Sequence, residues 1–391
     1  MGFSFKTFLK HTAKDFHNHS VNPPVVRAST IIFKSMNDIR KTQTKYNRDP
    51  RGGYFDYGRQ GTSTTHILQK ILTKLEESYH VFLTSTGFGS VFLAIFSIVR
   101  PGDEILIADP VYNPTRMLTQ DYLKEFNIKT IFYNPHDFNS IKKNITKKTK
   151  LIFVENPGSN TFEFQDLSKI LAIAKKNKIY TAIDNTWATP YFFKPIKLGF
   201  DMAIVSATKY YSGHSDVMGG SLAVNKKVFK QVERAQKYIG LRLGPDDAYL
   251  IIRGLRTLDV RLDKHQENAK KVAAFLSKNK KVKLLYPYKK GSLNYKLWKK
   301  YYSGASGLMG IKIKSKNKKS VIKFVNSLKL FGYGYSWGGF ESLVLHQGKS
   351  ERGNRRYLNL NKDERLIRLH IGLEDPKELI EDLGKSLKFV K

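Results

Sequence analysis

The 391 residues contain no cysteine. Disulfides and thiolate metal sites are therefore excluded. The ten histidines are scattered. His17 and His19 flank Asn18, but no HExxH or comparable ligand spacing occurs, which argues against a metal site. Long hydrophobic runs are also missing. The longest, Val91 to Val99, is far short of the roughly 20 residues that a membrane span needs. Lys6, Lys10 and Lys14 interrupt the apolar residues near the N-terminus, unlike a secretory signal, and Lys6 stands where a myristoylation site wants a hydroxyl. A cytoplasmic protein with no membrane partner is the expectation.

Acidic residues are scarce: 33 against 68 Lys and Arg, for a net charge of +35. Such a charge invites a nucleic-acid reading. The lysines, however, lie in separate runs, KKNITKKTK, SKNKKVK and KSKNKKS, spread along the chain instead of forming one stripe. A solvated face in a chain biased towards Lys, Asn and Ile accounts for this better than a specific nucleic-acid partner. Nonspecific attraction to anions still follows.

Aromatics are abundant and 41% of residues are hydrophobic, which excludes a disordered chain. The length allows two or three domains. Residues 1–62 show little helical period and read as an extended arm, with Pro23 and Pro24 enforcing the path, followed by the Gly- and aromatic-rich loop DPRGGYFDYGRQGT, a binding loop or subunit contact. From Thr65, Ile67, Leu68, Ile71, Leu72 and Leu75 share a helix face. HVFLTSTG then reads as a strand running into Gly87-Phe88-Gly89 and an apolar helix. That junction presents free backbone N–H groups suited to phosphate; tight packing explains the glycines equally well. EILIADP, TIFYNP, LIFVENP and YTAIDN follow as short apolar runs between helical segments, the pattern of a parallel sheet buried on both faces. Ligands bind beyond the carboxyl ends of such strands, so Tyr112, Asn156, Asp184 and Lys209 are expected to face one crevice. Residues 63–255 thus read as an α/β domain and 256–391 as a smaller α+β domain.

The stretch VSATKYYSGHSD, Val205 to Asp216, carries the chemistry. A lysine directly after a buried strand is costly unless its amine is partnered. An aldehyde cofactor consumes it as a Schiff base. Ser206 and Thr208 alternate around one residue, so on an extended segment their hydroxyls point together, towards a phosphate. An ordinary surface turn remains the plain alternative. Pyridoxal phosphate would further need a carboxylate at its ring nitrogen, a ring clamp and an anchor for the substrate carboxylate. Asp184, Tyr112 and Arg368 suit these roles. Their ordinary readings are a helix cap or turn, a buried aromatic, and an arginine paired with an internal acid.

Together, YGRQGT, SATKYYSGHSD, SWGGFESL and IRLHIGLED resemble the Cys/Met-metabolism family of pyridoxal-phosphate enzymes, of the aspartate-aminotransferase-like fold type I. The resemblance runs from VNPPVVRAST to RLHIGLED. It implies that Lys209 is the Schiff-base lysine, Asp184 the partner of the pyridine nitrogen and Tyr112 the stacking tyrosine. It implies a phosphate cup from Gly87, Phe88, Ser206 and Thr208; Phe88 departs from the family's usual Met. Tyr57 and Arg59 resemble a pair lent by the neighbouring subunit, implying an active site shared within a dimer and, as in most members, a homotetramer. Arg368 is implied as the carboxylate anchor, with Ser336 and Trp337 beside it, and Tyr238 as a further residue lining the site. Within the family the stretches are most similar to members that break the Cβ–S bond of cystathionine in methionine biosynthesis, releasing homocysteine, pyruvate and ammonia. The γ-acting relatives usually carry YSR and NPT in the first stretch and S-L-G in place of Ser336-Trp337-Gly338. A γ-elimination or γ-synthase activity is the alternative, a basic nucleic-acid-binding protein the remote one, and alanine racemisation a chemically accessible side reaction.

Overall fold

The computed structural model describes residues 3–12, 19–287, 290–348, 355–358, 360–361 and 363–390. His17 lies outside them. No group of His, Asp or Glu suited to a metal ion occurs among the described residues, and no described helix is long and apolar enough to cross a membrane.

The first 62 residues are not wholly extended. They hold helix α1 (Phe5–Lys10) and helix α2 (Met36–Arg48). Ser35 caps α2 by accepting the Asp38 N–H at 3.2 Å, and Lys45 and Arg48 lie in its last turn, where cations favour the helix dipole. None of its residues is buried. Only Met36, Ile39 and Tyr46 of its residues are apolar, too few to mark the helix in the sequence. The segment around Pro23 and Pro24 is extended, and beyond it Thr30 makes an isolated bridge to Tyr57.

The larger sheet contains β1 (His80–Thr84), β2 (Glu104–Ala108), β3 (Lys129–Tyr133), β4 (Thr149–Glu155), β5 (Tyr180–Asp184), β6 (Met202–Ser206) and β7 (Gly220–Val224). Their order is β1-β7-β6-β5-β4-β2-β3. Only β7 runs antiparallel to its neighbours. The apolar runs are continuous because both faces are covered: Leu151 and Phe153 pack into one core cluster, Ile152 and Val154 into the other. Helix α3 (Ser63–Leu75) seals one face through Leu68, Ile71, Leu72 and Leu75. Helix α4 (Gly87–Ile98) seals the other through Val91, Leu93 and Ile95.

The smaller sheet contains β8 (Val282–Leu285), β9 (Leu308–Lys314), β10 (Gly332–Tyr333), β11 (Leu343–Gln347) and β12 (Glu364–His370), in the order β10-β11-β12-β9-β8. It is antiparallel except for the short β10–β11 pair. One core cluster joins the sheets, since Val154 and Ile183 belong to it with Met309 and Ile311. The carboxyl ends of β4, β5 and β6 and the loop before β11 therefore enclose a common space.

Candidate active site

That space is a cavity of about 310 Å³. Lys209, Asp184, Tyr112, Gly87, Phe88, Ser206, Thr208, Ser336, Trp337 and Arg368 all border it.

Lys209 lies in the turn that follows β6. Its Nζ donates to Ser336 Oγ at 2.6 Å and lies 5.4 Å from the centre of the Trp337 ring. Burial pulls the amine down to about 8, the Arg368 charge adds to this, and Asp184 opposes it. Ser336 holds its place with φ at +73°, a left-handed conformation that serine rarely adopts. Next to it, Gly338 has φ at +89°, and a Cβ there would lie 3.0 Å from both Lys209 Cβ and Tyr210 N. The loop is pinned from behind, where Gly338 N–H donates to His370 Nε2 at 3.1 Å.

Asp184 ends β5 beside Ile204 of β6. Burial raises its carboxyl, while Thr186 and the Lys209 charge pull it down. Its Oδ1 accepts the Thr186 N–H at 2.9 Å, so it serves a turn and still faces the cavity. Tyr112 stands at the start of helix α5 (Asn113–Met117), its ring half-exposed at the cavity edge. Its N–H donates to Glu155 Oε2 at 2.6 Å.

Thr86 caps α4 by accepting the Gly89 N–H at 2.9 Å. The N–H groups of Gly87 and Phe88 are the first of the helix, and such groups lack intrahelical acceptors. A Cβ on Gly87 would lie 2.4 Å from Ser206 Oγ, so only glycine lets this helix end close on β6. The strand stops at Ser206 and Thr208 lies in the turn, so their shared direction comes from the turn and not from strand alternation. Thr208 Oγ1 also accepts the Gly219 N–H at 3.0 Å.

Arg368 lies in β12, 7% exposed, and donates to the carbonyls of Gly334 at 3.0 Å and Ser336 at 2.9 Å. Among the described residues its Nε is buried with no partner; burial holds the guanidinium down to about 10, against the pull of the Tyr112 and Tyr335 hydroxyls. The internal ion pair that would explain it plainly is absent among the described residues.

Asn156 does not join this group. Its Nδ2 donates to the Tyr302 hydroxyl at 2.7 Å and its Oδ1 accepts the Gln165 N–H at 2.7 Å. The residue before it, Glu155, faces the cavity instead. Neighbours on a strand point to opposite sides, so the polar end of LIFVENP was legible but its facing residue was one position off. Tyr57 is half-exposed and Arg59 donates to the Lys237 carbonyl; neither borders the cavity of its own chain. Tyr238 is 76% exposed and does not border it either.

A primary amine held below its ordinary range, a buried carboxylate across the cavity, an open helix start and an unpaired arginine fit an aromatic aldehyde phosphate together with an amino-acid carboxylate. The profile of the family described as "Cys/Met metabolism PLP-dependent enzyme" matches residues 6–388. The chain belongs to this family. As a Cys/Met metabolism enzyme it uses pyridoxal phosphate. It is 35% identical over 370 residues to a cystathionine beta-lyase of Bordetella avium, covering 94% of this chain and 92% of that one. It is 34% identical over 391 residues to an L-alanine/L-glutamate racemase of Wolbachia pipientis wMel, covering 98% and 96%. The structure of a cystathionine gamma synthase from Xanthomonas oryzae pv. oryzae, crystallised with aminoacrylate and cysteine, superposes with a TM-score of 0.90 at 28% identity, over 100% and 99% of the two chains. The mixed seven-stranded sheet and the smaller second sheet are the fold type I architecture of this family. Lys209, Asp184 and the start of α4 thus border one cavity.

Proposed function

We propose that this enzyme is a carbon–sulfur lyase that removes the β-substituent of cystathionine, releasing homocysteine, pyruvate and ammonia. The observation that carries the reading is the Lys209 amine, hydrogen-bonded to Ser336 in a loop whose neighbouring Trp337 lines the cavity, with Arg368 beside it and no acid partner among the described residues. The likeness to the Bordetella avium lyase supports the same chemistry.

Pyridoxal phosphate supplies covalent capture of the substrate amine and a ring that stores electrons. With the cofactor bound, Asp184 would keep the ring nitrogen protonated, Gly87, Phe88, Ser206 and Thr208 would hold the phosphate, and Tyr112 would clamp the ring. Arg368 binds the substrate α-carboxylate as a charge-assisted pair. Lys209, freed and neutral, takes the Cα proton; its amine near 8 is far better suited to this at neutral pH than an ordinary lysine. The electron pair of the Cα–H bond forms the Cα–Cβ double bond, and that of the Cβ–S bond leaves on sulfur. Lys209 or the Tyr112 hydroxyl returns a proton to the thiolate. The released enamine hydrolyses to pyruvate and ammonia.

Tyr57 and Arg59 do not border their own cavity, which supports donation to a neighbouring subunit's phosphate in a dimer-built tetramer. We assign residues 63–255 as the cofactor domain and 256–391 as the smaller domain, in a cytoplasmic enzyme. Racemisation of alanine is a second reading, favoured by the Wolbachia relative. Purified protein incubated with L-cystathionine tests the first: pyruvate supports β-elimination, and 2-oxobutyrate would move the assignment to a γ-acting enzyme. D-alanine formed from L-alanine above a cofactor-only control supports the second.

A further inference from the structure

Beyond Arg368 the cleft opens into an outer lobe of about 240 Å³. It shares Tyr112, Trp337 and Arg368 with the inner cavity and adds Leu345 and Gln347 from β11. In the antiparallel pairing, Leu345 stands opposite Arg368 and Gln347 opposite Leu366. Residues opposite each other share a face, and so do residues two apart. Gln347 therefore lies on the face that carries Arg368, one step further along the cleft.

Gln347 is 3% exposed, and among the described residues both its amide oxygen and its amide nitrogen are buried without a hydrogen-bond partner. A buried amide normally has its bonds made, and leaving them unmade is costly. Arg368 Nε, on the same wall, is likewise unpartnered. Among the described residues the lining of the lobe contains no acid and no cation other than Arg368. In the proposed reaction Arg368 is taken by the substrate α-carboxylate. What remains for the outer lobe is a neutral group offering a donor and an acceptor together. The terminal torsion of glutamine is soft, so the amide can turn towards the lobe.

We infer that Gln347 is the residue that recognises the amino-acid head carried by the leaving thiol. This rests on the lyase reading above. The amide N–H groups suit the distal carboxylate and the amide oxygen suits the distal ammonium. An alkyl tail satisfies neither. Sites built to hydrogen-bond a substrate discriminate strongly against analogues that lack the matching group. The substrate class is then thioethers and disulfides with an amino acid at both ends, over S-alkyl cysteines.

The test is calorimetric binding of L-cystathionine and S-propyl-L-cysteine to Lys209→Ala protein loaded with pyridoxal phosphate, with and without Gln347→Met. Methionine keeps the volume and removes the hydrogen bonds. Cystathionine is expected to bind about tenfold more weakly to the Gln347→Met protein, with less than about twofold change for S-propyl-L-cysteine. The melting temperature should be unchanged or higher, because the unpaired amide is gone. Equal weakening of both ligands, no change in either, or no preference for cystathionine before the substitution overturns the assignment. Absence of pyruvate from cystathionine with the intact enzyme, while the binding contrast persists, counts against the lyase reading alone.

Discussion

Glu155 and Asp184 stand side by side at the carboxyl ends of β4 and β5, paired in register and both lining the cavity. Burial pushes the Glu155 carboxyl well above its ordinary range and the neighbouring Asp184 charge adds to this; burial raises Asp184 as well, against the pull of Thr186 and Lys209. In the proposed site, Asp184 would face a protonated ring nitrogen, and its charge is easiest to keep if Glu155 holds its proton. Glu155 also accepts the Tyr112 N–H at 2.6 Å, tying the ring clamp to the acid pair.

The first prediction follows from that tie. Glu155→Gln keeps an acceptor for the Tyr112 N–H and mimics the protonated acid, so turnover should stay within about threefold. Glu155→Ala removes the acceptor of the Tyr112 N–H, a loss of about 0.5–1.5 kcal/mol, and should lower kcat/KM by about two- to tenfold. Steady-state assays of both variants decide it. Equal losses would show that the carboxylate charge, and not the contact to Tyr112, is what matters.

Lys209 gives the second. Apoenzyme mixed with pyridoxal phosphate should join it to the lysine faster as pH rises, levelling off above about 8, where the amine has lost its proton, and not near the ordinary lysine range of 10.5. The visible absorbance band reports this directly. Lys209→Ala should show no such band and lose about 10²–10⁴-fold in turnover, the share of a placed proton-transfer group.

Much of this site could be read from the chain, for reasons that differ by residue. Lys209 and Arg368 stood out because a cation beside or within an apolar strand needs a partner, and Asp184 because it ends a run of buried residues. Glu155 was hidden by its neighbour: Asn156 is equally polar, and only strand alternation in three dimensions tells which one faces the cavity. Helix α2 left little pattern because only Met36, Ile39 and Tyr46 of its residues are apolar. Strand β7, GSLAV, is short and rich in small residues, so neither length nor β-branching marked it. Ser336 was flagged by resemblance, but its left-handed backbone and its bond to Lys209 exist only in the folded loop.

A third prediction concerns the helix start. Gly87→Ala forces a methyl against Ser206 Oγ at 2.4 Å and Ser206 Cα at 3.0 Å. Either α4 moves off β6 or Ser206 rotates, and both spoil the phosphate cup. Pyridoxal phosphate affinity, followed by dialysis and absorbance, should fall by at least about tenfold, since each hydrogen bond to a charged group contributes about 1.5–3 kcal/mol. The apoenzyme melting temperature should change less than that of the holoenzyme. Unchanged cofactor affinity would remove the helix start from the phosphate site.

The last prediction lies away from the cavity. Glu76 caps α3 from a fully buried position, where the Tyr211 hydroxyl donates to its Oε1 at 2.7 Å. Burial raises its carboxyl to about 7, only partly offset by Tyr211 and the Lys194 charge. The unfolded chain ionises this group near 4.5. Between those values the unfolded state holds fewer protons than the folded one, so stability falls as pH rises through this window. Below about 4.5 the group adds no pH dependence, and above about 7 its full penalty is present. Glu76→Gln keeps an oxygen for Tyr211 and cannot ionise. Its melting temperature should match that of the parent at pH 5 and exceed it at pH 8. A variant that is less stable at pH 8 would mean that Glu76 is charged in the folded protein and that its carboxylate, and not its acid form, holds Tyr211.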